Sequence, residues 1–217
     1  MSNFFDIKHK ELLNLCPPEI NPKEWKDFRD TFKKAANFTE LDHPIQLDIE
    51  LNGGCNMKCP FCIHGYGNKI PNLNMKVDDY HRIIDEAVEI GVKSLKLNYI
   101  NEPMLRKDLE VCIKYAKDKG ILNVYMVTNG TCLTKKRRES LLASGITKVF
   151  ISLDATTSET YNKQRLGGQF NKVVNNINKF VELRNSKGMQ FPLVRVSFLK
   201  NSLNIHEAEE FKEIWEE

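Results

Sequence analysis

Five short runs of β-branched and other apolar residues, at 46–51, 94–99, 123–128, 148–153 and 194–200, recur along the chain with helical patterns between them. Each run is bounded by turn or capping chemistry, the mark of a strand. Tyr80, Ile83, Ile84, Ala87 and Val88 fall on one face of an intervening helix, and Leu109, Cys112, Ile113 and Ala116 on one face of another. Gly91, Gly120, Gly145 and Gly188 stand just past four such helices, where a left-handed closing residue is wanted. Strands alternating with helices in this way predict an α/β fold, a parallel sheet covered on its outer face, either barrel-like or doubly wound.

The 217 residues, 41% hydrophobic and 28% charged, suffice for one sizeable core. Residues 1–44 break the rhythm and are expected to form an N-terminal helical extension, with residues 45–217 as the core domain. In the extension Trp25, Phe28, Phe32 and Ala35 are spaced for an amphipathic helix that covers the sheet or one of its edges, or else docks a partner. Net charge is +3 with the lysines scattered among acids, so no nucleic-acid partner is expected; the densest basic run, residues 135–138, reads as a helix surface. No apolar stretch approaches the roughly 20 residues of a membrane span, and residues 1–10 lack a signal-peptide pattern. The expectation is a cytoplasmic protein without a membrane partner.

Three of the six cysteines, Cys55, Cys59 and Cys62, crowd into eight residues after the first strand, which points to metal binding in a reducing compartment. Cys16, Cys112 and Cys132 are dispersed. Gly53-Gly54 relaxes the backbone entering the triad. A zinc site completed by His64 is one reading. The other is an iron-sulfur cluster, which normally takes four thiolates, so that three leave one iron open to a small molecule.

The pattern C-x-x-x-C-x-x-C with Phe61 before the third cysteine resembles the signature of the radical S-adenosylmethionine (radical SAM) superfamily. Later motifs follow in that family's order: Asn101-Glu102-Pro103 after the second strand, Thr128-Asn129-Gly130 ending the third, Ser152-Leu153-Asp154 ending the fourth, then Arg165-Leu166-Gly167-Gly168. The last segment is similar to the subgroup that often carries a C-terminal SPASM domain. The resemblance implies a partial (β/α)6 TIM-like barrel in which Cys55, Cys59 and Cys62 hold a 4Fe-4S cluster. S-adenosylmethionine would chelate the open iron and be cleaved by one electron to a 5'-deoxyadenosyl radical that abstracts hydrogen from substrate. Glu102 would hold the methionine amino group and Arg165 its carboxylate, for which a planar guanidinium is suited. Ser152 and Asp154 would approach the ribose, Phe61 and Leu199 the adenine, and Asn129 the cofactor or the neighbouring loop. Ile100 and Asn101 replace the two glycines usual before Glu102. An electron donor such as flavodoxin or ferredoxin is implied as a partner.

Side chains alternate across a strand, so residues of Ser152's parity should share its side of the sheet. That rule places Asp48, Glu50, Lys96 and Arg195 away from the helices, as a charge-lined substrate cavity suited to a sugar, a nucleotide-linked group or a peptide, or as an internal salt-bridge network. With five strands counted, the barrel is expected to be incomplete after the fifth β/α unit, the chain being the N-terminal catalytic part of a longer protein. A non-catalytic metal-binding or scaffold relative is the alternative function.

Overall fold

The computed structural model describes residues 15–67, 70–71 and 73–215. Among these, five parallel strands lie in sequence order: β1 Gln46–Asp48, β2 Ser94–Lys96, β3 Asn123–Thr128, β4 Lys148–Ser152 and β5 Leu193–Ser197. Helix α1 is Pro22–Ala36; α2 Val77–Glu89, α3 Leu109–Asp118, α4 Lys135–Ala143, α5 Ser158–Gln164, α6 Phe170–Ser186 and α7 Ala208–Trp215 follow. Register aligns Asp48, Lys96, Tyr125, Lys148 and Leu193 in one row, and Phe150 with Arg195 in the next.

The outer face is the apolar one. Leu95, Leu97, Val124, Met126, Val149 and Ile151 are fully buried there against Ile84, Ile113, Leu141, Val173 and Phe180 of the helices. The opposite face carries the polar parity, as alternation requires. Glycines 91, 120, 145 and 188 all take positive φ, between 65° and 93° for the first and last, at the positions read as helix ends.

β1 and β2 stop two or three residues before the sequence pattern does, because side chains take over the backbone's partners. The Val127 N–H donates to Asn98 Oδ1 at 2.9 Å where a strand carbonyl would otherwise serve. Glu50 Oε1 likewise accepts from the N–H groups of Ile100 and Asn101, at 2.6 and 3.1 Å.

Helix α1 opens on Asn21, whose Oδ1 accepts from the Lys23 and Glu24 N–H groups. Its Trp25 and Phe28 form a separate cluster with Ile45 and Leu122, the residues just before β1 and β3. The helix therefore lies across the N-terminal ends of the strands, rather than over a sheet face or edge. The basic run of α4 is partly structural: Arg137 pairs with Glu110 at 3.0 Å, and buried Arg138 donates to the Leu133 carbonyl at 2.6 Å.

Candidate active site

The cysteine loop leaves β1 at the C-terminal end of the sheet, where the loops of α/β barrels gather their functional groups. It is tethered at both flanks. The Glu102 N–H donates to the Gly54 carbonyl at 2.9 Å, and the Lys58 N–H to the Leu166 carbonyl at 2.8 Å. Within it the Cys62 N–H donates to the Cys59 carbonyl and the Gly65 N–H to the Cys62 carbonyl, coiling the loop so tightly that a Cβ on Gly65 would lie 2.0 Å from the Cys59 carbonyl oxygen. Cys59 is buried, and Cys55 and Cys62 are half-buried. Burial pushes the Cys55 thiol up, as do the charges of Glu102, Cys59 and Cys62. Burial pushes Cys59 up too, against the pull of Arg165. Three desolvated thiols that disfavour one another's ionisation need a positive centre to become thiolates together.

Glu102 lies fully inside the protein, with only 2% of its surface exposed. Its Oε1 accepts from Thr128 Oγ1 at 2.6 Å and the Met104 N–H at 3.1 Å, and its Oε2 from the Asn129 N–H at 2.7 Å. Burial raises its pKa against those three donors. Asn129 turns to the cysteine loop: its Nδ2 donates to Asn56 Oδ1 at 2.9 Å, while its Oδ1 caps the turn by accepting from Thr131.

Asp154 and Arg165 form an ion pair, and Arg165 Nη1 also reaches Cys59 Sγ at 3.8 Å. The other oxygen of Asp154 accepts from the Leu199 N–H at 2.7 Å. The Arg165 guanidinium lies 5.4 Å from the centroid of the Phe61 ring. Leu199 is 58% exposed, so its side chain is available to a ligand and not spent in the core. Ser152, paired in register with Ser197, ends β4 on the polar face.

The chain matches the model of the radical SAM superfamily over residues 49–211. It belongs to that superfamily. Over 135 residues it is 33% identical to a probable GTP 3',8-cyclase of Methanococcus maripaludis, covering 62% of this chain and 45% of that one. It is 30% identical over 128 residues to a PqqA peptide cyclase of Granulibacter bethesdensis, covering 59% and 33%. The chain thus spans less than half the length of these curated relatives. The radical SAM fold extends to solved structures: SuiB of Streptococcus suis bound to S-adenosylmethionine superposes with a TM-score of 0.63 at 22% identity, over 94% of this chain and 46% of that one.

Radical SAM proteins use S-adenosylmethionine and a 4Fe-4S cluster, and the residues present fit both. Three thiols supply the donor set, and Arg165 Nε and the Tyr161 hydroxyl beside them are buried without a hydrogen-bond partner. No three His, Cys, Asp or Glu side chains among the described residues close around a single point, so the tetrahedral zinc site with His64 does not form here.

Of the sequence-read residues, Cys55, Cys59, Cys62, Phe61, Glu102, Asn129, Asp154, Arg165 and Leu199 stand in loops at one end of the sheet. Deeper on the polar face, Lys96 pairs with Asp48 at 3.2 Å and Arg195 stacks on Phe150 at 3.9 Å. Glu50 departs from the cavity reading, since its carboxylate holds the loop before Glu102. Sequence reasoning missed the asparagine bracing. Buried Asn52 donates to the Gly54 and Glu102 carbonyls, both at 3.2 Å, and accepts from Asn101 Nδ2 at 3.0 Å, joining the cysteine loop to the Glu102 loop. The density of Asn in these loops is the signal it leaves.

Among the described residues no helix is long and apolar enough to cross a membrane.

Proposed function

We propose that the chain carries the radical-generating core of a radical SAM enzyme acting on a polar substrate: a sugar, a nucleotide-linked group or a peptide. The observation that carries this reading is the position of Arg165, held by Asp154 with its guanidinium against Cys59. In this reading Cys55, Cys59 and Cys62 hold the cluster. Arg165 offers its planar fork to the methionine carboxylate and Glu102 accepts from the amino group. Phe61 and Leu199 flank the adenine, and Ser152 meets the ribose. Asp154 serves the ribose indirectly at most, because both its oxygens are engaged by Arg165 and Leu199. Asn129 acts by fixing the cysteine loop through Asn56. When bound, the cluster supplies the electron that cleaves S-adenosylmethionine to a hydrogen-abstracting 5'-deoxyadenosyl radical. The chain's own work is to orient the cofactor and to exclude water from Glu102 and Cys59, both of which are buried.

The relatives act on different molecules by their names, GTP in one and a peptide in another. SuiB has also been solved bound to its precursor peptide. These support a polar substrate and leave its class to the lumen's chemistry. A flavodoxin or ferredoxin is the proposed electron donor.

Anaerobic reconstitution of the full chain tests the function. The expected result is a reducible iron-sulfur chromophore whose electron paramagnetic resonance signal shifts on adding S-adenosylmethionine, with 5'-deoxyadenosine released after reduction. A reconstituted cluster that neither responds to the cofactor nor releases that product would overturn it.

A further inference from the structure

The polar face of the sheet holds a cationic group that neither the cysteine loop nor the Glu102 and Arg165 loops engage. Lys148, the first residue of β4, is 96% removed from solvent, being 4% exposed. Its ammonium lies 5.7 Å from the centroid of the Trp25 ring of α1. The charges that act on it are Arg29 of α1 and Arg195 of β5, both repulsive, and no carboxylate among the described residues offsets them. The acids of this face are committed elsewhere. Asp48 is bonded to Lys96 at 3.2 Å and to Gln46 Nε2 at 2.8 Å, and Glu50 to the N–H groups of Ile100 and Asn101. On α1 itself, Asp30 pairs with Lys26 and Lys33, and Glu24 with Lys93. The row neighbour of Lys148 on β3 is Tyr125, whose hydroxyl donates to Gln46 Oε1 at 3.3 Å. Arg29 Nε is buried with no hydrogen-bond partner.

Burying a charge without a counter-charge is among the costliest things a fold can do, and a cation in such a place calls for an anion. We propose that Lys148, Arg29 and Arg195 receive an anionic group, a carboxylate or a phosphate borne by the substrate, between α1 and the polar face of β4 and β5. Arg29 and Arg195 are each only partly buried, leaving a way in on their side. Burial, with Arg29 and Arg195, pushes the Lys148 ammonium down to about 7, so an arriving anion restores its proton. The proposal narrows the polar substrate of the radical SAM reading to an anionic one. Its link to that substrate rests on that reading, whereas the site itself does not.

The test is made on the full chain without cluster, in a Trp215→Phe background that leaves Trp25 as the one tryptophan. Trp25 fluorescence is titrated with inorganic phosphate and, separately, with acetate, at pH 6.5 and pH 9. A saturable change with either ion is expected, tighter at the lower pH, and which ion acts names the group recognised. Lys148→Met and Arg29→Met should each weaken it at least tenfold, with Lys148→Arg retaining it and circular dichroism showing all three folded. No saturable change with either ion, or equal affinity in Lys148→Met, overturns the site. If Lys148→Met does not fold, Arg29→Met and Lys148→Arg decide alone. Binding retained in a chain whose reconstituted cluster cannot cleave S-adenosylmethionine would fail the radical reading and keep the site.

Discussion

The carboxylate of Asp154 holds the guanidinium of Arg165 with one oxygen and the Leu199 N–H with the other, so a single buried acid ties β4, α5 and the segment after β5 around the cysteine loop. Asp154 itself sits at φ 62°, a conformation that Asn tolerates as well as Asp. Asp154→Asn therefore removes the charge and leaves the backbone and an acceptor for Leu199. Its expected effect is a loss of about 1.5–3 kcal/mol of charge-assisted bonding to Arg165. Cofactor affinity should fall about tenfold or more, measured by the spectral shift of the reconstituted protein on titration with S-adenosylmethionine. Iron content should hold, because the thiols are untouched. Unchanged affinity would mean that Arg165 needs no such support.

Glu50 substitutes for missing backbone freedom. Ile100 and Asn101 stand where the family's pattern has glycines, and Glu50 Oε1 fastens both of their N–H groups. Glu50→Ala strands two donors, for about 1–3 kcal/mol of stability by chemical denaturation. Glu50→Gln, which keeps the acceptor oxygen, should recover most of it. A residue that merely lined a cavity would show no such difference in stability between the two variants.

At Gly65 the constraint is steric. A Cβ there would collide with the Cys59 carbonyl oxygen, a backbone atom that cannot swing aside. Gly65→Ala is expected to cost about 1–3 kcal/mol or more and to open the cysteine loop. Iron bound per chain after reconstitution should drop steeply while far-ultraviolet circular dichroism stays native. Full iron loading in this variant would show that the loop tolerates a wider coil.

The fold was legible because buried parallel strands leave β-branched runs that amphipathic helices separate, and the outward parity of Leu95, Val124 and Val149 follows from alternation alone. The ends of β1 and β2 were not, since Glu50 and Asn98 replace ladder partners and a side chain's partner is not written in its own neighbourhood. The cysteines and Glu102 were legible from spacing and order. The pairing of Asp154 with Arg165 was not, because a whole helix intervenes and either residue could have met the cofactor directly. Lys148 was hidden most completely. As the polar first residue of a strand it reads like any surface lysine, and its burial depends on Trp25 arriving from a segment more than a hundred residues earlier.

That burial has a sign that solution measurements can read. In the folded chain the Lys148 pKa is pushed down to about 7, first by burial and then by Arg29 and Arg195, from an ordinary value of 10.5. Between those two values the unfolded chain holds the proton that the folded chain has released, so stability rises with pH there, at up to about 1.4 kcal/mol per unit. Below about pH 7 both states are charged and the full penalty is present. Lys148→Met should therefore stabilise the protein most at or below neutral pH, with the gain shrinking as pH climbs toward 10. Urea denaturation of the two proteins at pH 6.5, 8 and 9.5 gives the comparison. A bound anion reverses the order at low pH: with saturating phosphate or acetate, whichever the site takes, the wild type should recover stability that Lys148→Met cannot gain. A pH-independent difference between the two proteins would place the ammonium in water, not under Trp25.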